Sequence, residues 1–222
     1  MFRNALARFG LAALLLIASF ARAENGWQPL VTQDGVSVQE RDAPGRAMPE
    51  LQATAEIDAG IFEVLAVIAD FSRQTEWMHD CAESRRVRRD GPDASLIYNR
   101  TSAPWPVSDR DAVLRSQTTL LEPMRHVTVR FANVTDPGTP PVDGVVRMPR
   151  VVGGYELVSL SPTRTRVTYT IDLDPGGSLP AWVAARTARE TPLKTLLGLR
   201  KQVDATRGQY LDFVSAWSER GR

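Results

Sequence analysis

Apolar positions along this chain change period twice, and each change marks a change of element. Val36 and Val38 alternate with Ser37 and Gln39, which predicts a half-buried strand over 35–39. A second extended piece is expected from Glu50 to Ile57. From Ile61 to Phe71 the period lengthens: Ile61, Leu65 and Ile68 form one stripe, and Phe62, Val64, Val67 and Phe71 widen it. So much apolar surface on a short segment predicts a deeply buried helix, with Asp58 as its N-cap. After Trp77 the alternation returns, giving strands near 83–89, 95–103, 112–121, 126–132, 145–147, 155–160 and 166–173. Breakers separate them, among them Asp90-Gly91-Pro92, Pro104-Trp105-Pro106, Asp136-Pro137-Gly138 and Gly153-Gly154. In the last strand Val167, Tyr169, Ile171 and Leu173 share one face. The connections are too short for parallel crossovers, so the sheet is antiparallel.

Asp174-Pro175-Gly176-Gly177 closes the sheet, and the chain from Pro180 to about Trp217 reads as helix, with Pro180 in its first turn. Thr191-Pro192 is expected to kink or break it, because proline removes a donor and clashes with the preceding turn. The pattern is therefore an α+β domain: a helix after the second strand, a curved antiparallel sheet, and a long C-terminal helix against one face.

The first 23 residues are excluded from the fold. Arg3 and Arg8 precede the apolar run Gly10–Phe20, and Ala21-Arg22-Ala23 has the small-x-small form of a cleavage site, so residues 1–23 read as an export signal and residues 24–222 as one domain in the periplasm. The run is short of the roughly 20 residues a permanent span needs. With 27 basic and 26 acidic residues the chain is near neutral, and losing Arg3, Arg8 and Arg22 leaves it slightly acidic. That gives no electrostatic basis for binding nucleic acid. The single cysteine, Cys81, rules out an internal disulfide.

Four stretches carry a resemblance to a known family: Glu76-Trp77-Met78-His79-Asp80-Cys81; Ser102-Ala103-Pro104-Trp105-Pro106-Val107-Ser108-Asp109-Arg110-Asp111; Gly144-Val145-Val146-Arg147 with Gly153-Gly154-Tyr155; and Asp174-Pro175-Gly176-Gly177-Ser178-Leu179-Pro180-Ala181-Trp182-Val183. In this order and spacing the chain resembles the START (StAR-related lipid transfer) family from about Trp27 to Val214. The resemblance implies a helix-grip fold, in which the sheet wraps around the long C-terminal helix and encloses a tunnel for one lipid. It also implies that Pro104–Ser108 lies beside the tunnel mouth. Some sterol-binding members set a buried acid and an arginine on the strands flanking this loop. Ile97 and Ser116 stand at the corresponding positions here, which argues against a simple sterol assignment.

Strand parity and family spacing together mark Ile97, Asn99, Thr101, Leu114, Ser116, Thr118, Val167, Tyr169 and Ile171 as inward positions, joined by Trp182, Val183 and Arg186 from the helix. Trp105 is expected to pack on the helix near Leu179–Val183 and seal the entrance, or else to anchor the turn. Each apolar position among them can equally serve as solid core. A lipid so enclosed gains about 0.8 kcal/mol per buried methylene. The expected protein is a monomeric carrier or sensor of one lipid or similar hydrophobic molecule, with transient membrane contact and no cofactor. His79-Asp80-Cys81 reads as structural, since adjacent residues of an extended chain point apart. Asp109 and Asp111 read as salt-bridging or turn-capping acids, and Arg110 as a tie between loop and sheet. Two rivals remain at this point. A polyketide cyclase or aromatase on the same fold would gather ionisable groups in the cavity, and a solid-core envelope interaction module would have no cavity.

Overall fold

A computed structural model describes residues 26–46 and 48–220; residues 1–23, expected to be an export signal, lie outside this range. Ten strands form one sheet. They are β1 (Gln28–Gln33), β2 (Val36–Arg41), β3 (Glu50–Ile57), β4 (Cys81–Arg89), β5 (Ala94–Thr101), β6 (Arg110–Glu122), β7 (His126–Asn133), β8 (Val146–Arg147), β9 (Arg150–Ser161) and β10 (Arg164–Asp174). The helices are α1 (Ile61–Ala69), α2 (Ala181–Ala205) and α3 (Leu211–Arg220), with a short 3-10 helix at Phe71–Glu76. Strand order is β1-β2-β3-β10-β9-β7-β6-β5-β4, antiparallel throughout except for β8, which runs parallel to the start of β6. A curved antiparallel sheet therefore closes around the long helix α2, as expected.

The first helix follows the third strand, not the second. β1 escapes the alternation rule because it is an edge strand with no buried residue. Its turn was nevertheless written in the sequence: Asp34 and Gly35 both have positive φ (49° and 74°), the conformation that a tight two-residue hairpin demands. Helix α1 is capped at Gly60, whose N–H donates to the Glu63 carboxylate (2.8 Å), so Asp58 is not its N-cap. Seven of its nine residues are buried, against α2, α3, β9 and β10.

Two breakers behave otherwise than expected. Gly153 and Gly154 lie inside β9, and a Cβ on either would sit 2.4 Å from a carbonyl oxygen, of Thr170 and of Val129 respectively. These glycines allow the neighbouring strands to approach closely. Pro192 does not break α2, which continues for thirteen residues beyond it. Pro192 itself and Leu193, Leu196, Leu199 and Val203 are buried, so tertiary packing outweighs the lost donor. The chain turns instead between α2 and α3, where Gly208 adopts φ 74°.

Gly198 fixes how closely α2 approaches the end of the 3-10 helix: a Cβ there would lie 2.1 Å from the Trp77 carbonyl oxygen. Overpacking of this kind costs about 1–3 kcal/mol, against roughly 1 kcal/mol of gained helix propensity. Because the Cβ meets backbone and not a flexible side chain, the cost lies at the top of that range, and Gly198→Ala is expected to destabilise the protein by about 2 kcal/mol in urea unfolding. An unchanged midpoint would show that α2 can move off the Trp77 backbone freely.

Candidate functional site

Between the sheet and α2 lies a cavity of about 160 Å³ that opens in part to solvent. Strand register arranges its wall in rows. Arg110 pairs with Thr101, Ala112 with Asn99, and Leu114 with Ile97 across β5 and β6. Ser116 faces Phe131 on β7, which in turn pairs with Gly153 on β9, and Gly153 with Ile171 on β10. The row formed by Tyr155 and Tyr169 closes this side, the rings stacked at 4.8 Å. One face of α2 completes the wall with Val183, Arg186, Thr187, Glu190, Thr191 and Thr195.

Nine of the expected positions meet at this wall: Ile97, Asn99, Thr101, Leu114, Ser116, Tyr169, Ile171, Val183 and Arg186. Four do not. Val167 lies one row beyond Tyr169, fully buried among Val127 and Leu157, where the sheet packs as solid core. Thr118 is level with Val129, past the end of β5. Trp182 points outward, 55% exposed, because one residue along a helix turns the side chain about 100° from Val183. Trp105 is 90% exposed and seals nothing.

The wall also contains residues that strand parity had not assigned. Gln74, from the 3-10 helix, accepts hydrogen bonds at Oε1 from Ser84 Oγ (2.8 Å) and Asn99 Nδ2 (3.1 Å). The parity of β9 and its register with Tyr169 were enough to point to Tyr155. Its hydroxyl is fully enclosed, has no hydrogen-bond partner among the described residues, and stays protonated because burial drives its pKa well above 10. Thr195 Oγ1 is likewise buried without a partner.

At the junction of the 3-10 helix with α2, four ionisable lining residues pair among themselves. His79 Nε2 lies 3.2 Å from Asp80 and 3.6 Å from Glu190. Glu190 also receives Arg186 (3.0 Å) and Lys194 (2.7 Å), whose hydrogen bonds hold its carboxyl down at about 2. Burial lowers the pKa of His79 and favours its neutral form. The two aspartates of the Ser108–Asp111 stretch are structural. Asp109 accepts from Arg100 Nε (2.8 Å) and the Ala103 N–H (3.1 Å), and Asp111 is held by Arg147. Cys81 is a free thiol that burial pushes up to about 11, too high for a nucleophile.

Comparison with known proteins identifies the architecture. Residues 10–206 match the sequence profile of the START domain. The chain belongs to the START family. A START-family protein of Xanthomonas axonopodis, solved as a STAR-related lipid transfer protein, is 33% identical; the match covers 81% of this chain and 99% of that one, with a TM-score of 0.73. An uncharacterised protein of Pseudomonas aeruginosa is 31% identical over 87% of this chain and 94% of its own length. The phosphatidylcholine transfer protein of Rattus norvegicus is 26% identical over 71% of this chain and 74% of its own.

Proposed function

We propose that this START-family chain binds a single lipid or similar hydrophobic molecule in its internal cavity, and carries or senses it in the cell envelope without chemically altering it. The observation that carries this reading is the cavity itself. It lies behind a wall whose sheet side is mostly apolar, with isolated polar groups such as Asn99, Ser116 and Tyr155 on the sheet and Thr195 on α2. Apolar walls with a few placed polar groups are how proteins hold small hydrophobic ligands. A cavity between sheet and helix, open in part to solvent, also argues against the solid-core module. The cyclase alternative gains little, because His79, Asp80, Arg186 and Glu190 are spent on one another.

Two features support membrane contact. Trp105 adjoins the lining residue Pro104, and Trp182 adjoins Val183; both indoles are largely exposed. Tryptophan favours the boundary between lipid and water. Export rests on the pattern of residues 1–23. The test is extraction and mass spectrometry of protein recovered from the envelope fraction. One lipid per chain is expected, exchangeable with vesicles. Protein that carries no lipid and takes none from vesicles would overturn the reading.

A further inference from the structure

One charged side chain in the cavity wall has no counterion. Alternation along β6 sets Arg110 on the same face as Ala112, Leu114 and Ser116, all of which line the cavity. Arg110 is only 7% exposed, yet no carboxylate lies within ion-pair distance of its guanidinium among the described residues. Its Nη atoms donate to the backbone oxygens of Ser108 and, at a long 3.4 Å, Ser178. Its Nε is buried and has no partner. The two adjacent acids are already engaged, Asp109 by Arg100 and Asp111 by Arg147. The other lining arginine, Arg186, is exposed and paired with Glu190.

A buried cation without a counterion is costly, so it calls for something the bound state supplies. A guanidinium is matched by a planar or tetrahedral oxyanion, to which it can donate from two nitrogens at once. We propose that Arg110 anchors the anionic head of the ligand, a phosphodiester or carboxylate, and that the apolar tail runs along the sheet towards Tyr155 and Tyr169. This specifies the ligand class of the lipid-binding reading above and rests on it. The geometry suits an amphiphile. Arg110 to Ser116 spans about 20 Å of β6 at roughly 3.3 Å per residue, with Ala112 and Leu114 between them. The burial that drives the Arg110 pKa below its ordinary value is relieved by a bound anion.

The experiment compares wild type, Arg110→Gln and Arg110→Lys for binding of fluorescent acyl-labelled phosphatidylglycerol, fatty acid and diacylglycerol, with inorganic phosphate as a tail-free control. Wild type is expected to prefer the anionic lipids. Arg110→Gln should lose about 10- to 100-fold in affinity for them, as removal of a charge-assisted hydrogen bond does, while binding diacylglycerol within about 3-fold of wild type. Arg110→Lys keeps the charge but not the fork, and should fall between the two. It carries the comparison if the glutamine variant does not fold. Equal binding of all lipids by wild type and a folded variant would overturn the role of Arg110 and leave the lipid reading standing. Inorganic phosphate binding as tightly as phosphatidylglycerol would overturn the amphiphile in favour of a free-anion site. A wild type that binds none of the lipids would overturn the lipid reading itself.

Discussion

Asp111→Ala is expected to cost about 3–5 kcal/mol of folding stability, the range for breaking a buried ion pair from one side. The Asp111 carboxylate is fully enclosed, and Arg147 addresses both of its oxygens, Nε at 2.7 Å and Nη2 at 3.1 Å. The same guanidinium donates to the carbonyls of Thr139 (3.3 Å) and Pro140 (3.2 Å), so one side chain ties β6, β8 and the long β7–β8 loop together. Removing the carboxylate leaves a cation with only those two carbonyls. A domain has roughly 5–15 kcal/mol in total, so the loss would be a large part of it. Urea unfolding followed by tryptophan fluorescence would measure it. The double variant Asp111→Ala, Arg147→Met should recover part of the loss, since it leaves no charge behind. A single variant with wild-type stability would show that the pair contributes nothing net.

The strand pattern was legible because most of the sheet has one buried face. β3 alternates without exception between buried and half-buried positions, and β10 does so over most of its length. Where both faces are covered the rule fails: Ala94–Asn99 are buried in succession, and parity alone does not say which of them look into the cavity. Where neither face is covered it fails too, as in β1. Gly153-Gly154 as a break between strands and Thr191-Pro192 as a break in the helix failed for a shared reason. Local propensity marks them as breakers, but close strand approach in one case and a packed helix face in the other override it.

The site was legible up to the limits of parity. Parity and family spacing put nine residues on the cavity wall but did not mark where the cavity stops: Val167 lies one row beyond it, and Thr118 shares the row of Val129, Tyr155 and Tyr169 but sits past the end of β5, outside the lining. Family spacing put Trp182 inward and led Trp105 to be expected on the C-terminal helix or at the turn, and the fold leaves both largely exposed. Arg110 was read as a tie between loop and sheet, and it is one. Its second property, an unpaired Nε in the cavity wall, depends on Asp109 and Asp111 being claimed by Arg100 and Arg147. Those partners lie 9 and 36 residues away, and no local pattern connects them.

Ala112→Phe is expected to abolish ligand binding, by about 100-fold or more, while leaving the fold intact. Ala112 is 1% exposed and lies on β6 between Arg110 and Leu114, with its side chain in the cavity wall. In a solid core, enlarging such an alanine forces neighbours off their rotamers and costs about 1–3 kcal/mol or more. Beside a cavity of about 160 Å³ a single ring has room, and the apolar surface it buries offsets the strain. Stability and binding should therefore separate: the urea midpoint unchanged or raised, the lipid lost. A ring in that place would occupy the path between the Arg110 anchor and the tail region near Tyr155, so charged and neutral lipids should be excluded alike. This differs from Arg110→Gln, which should lose only the anionic ones. A variant that is strongly destabilised yet still binds lipid would show that Ala112 belongs to packed core and that the ligand lies elsewhere.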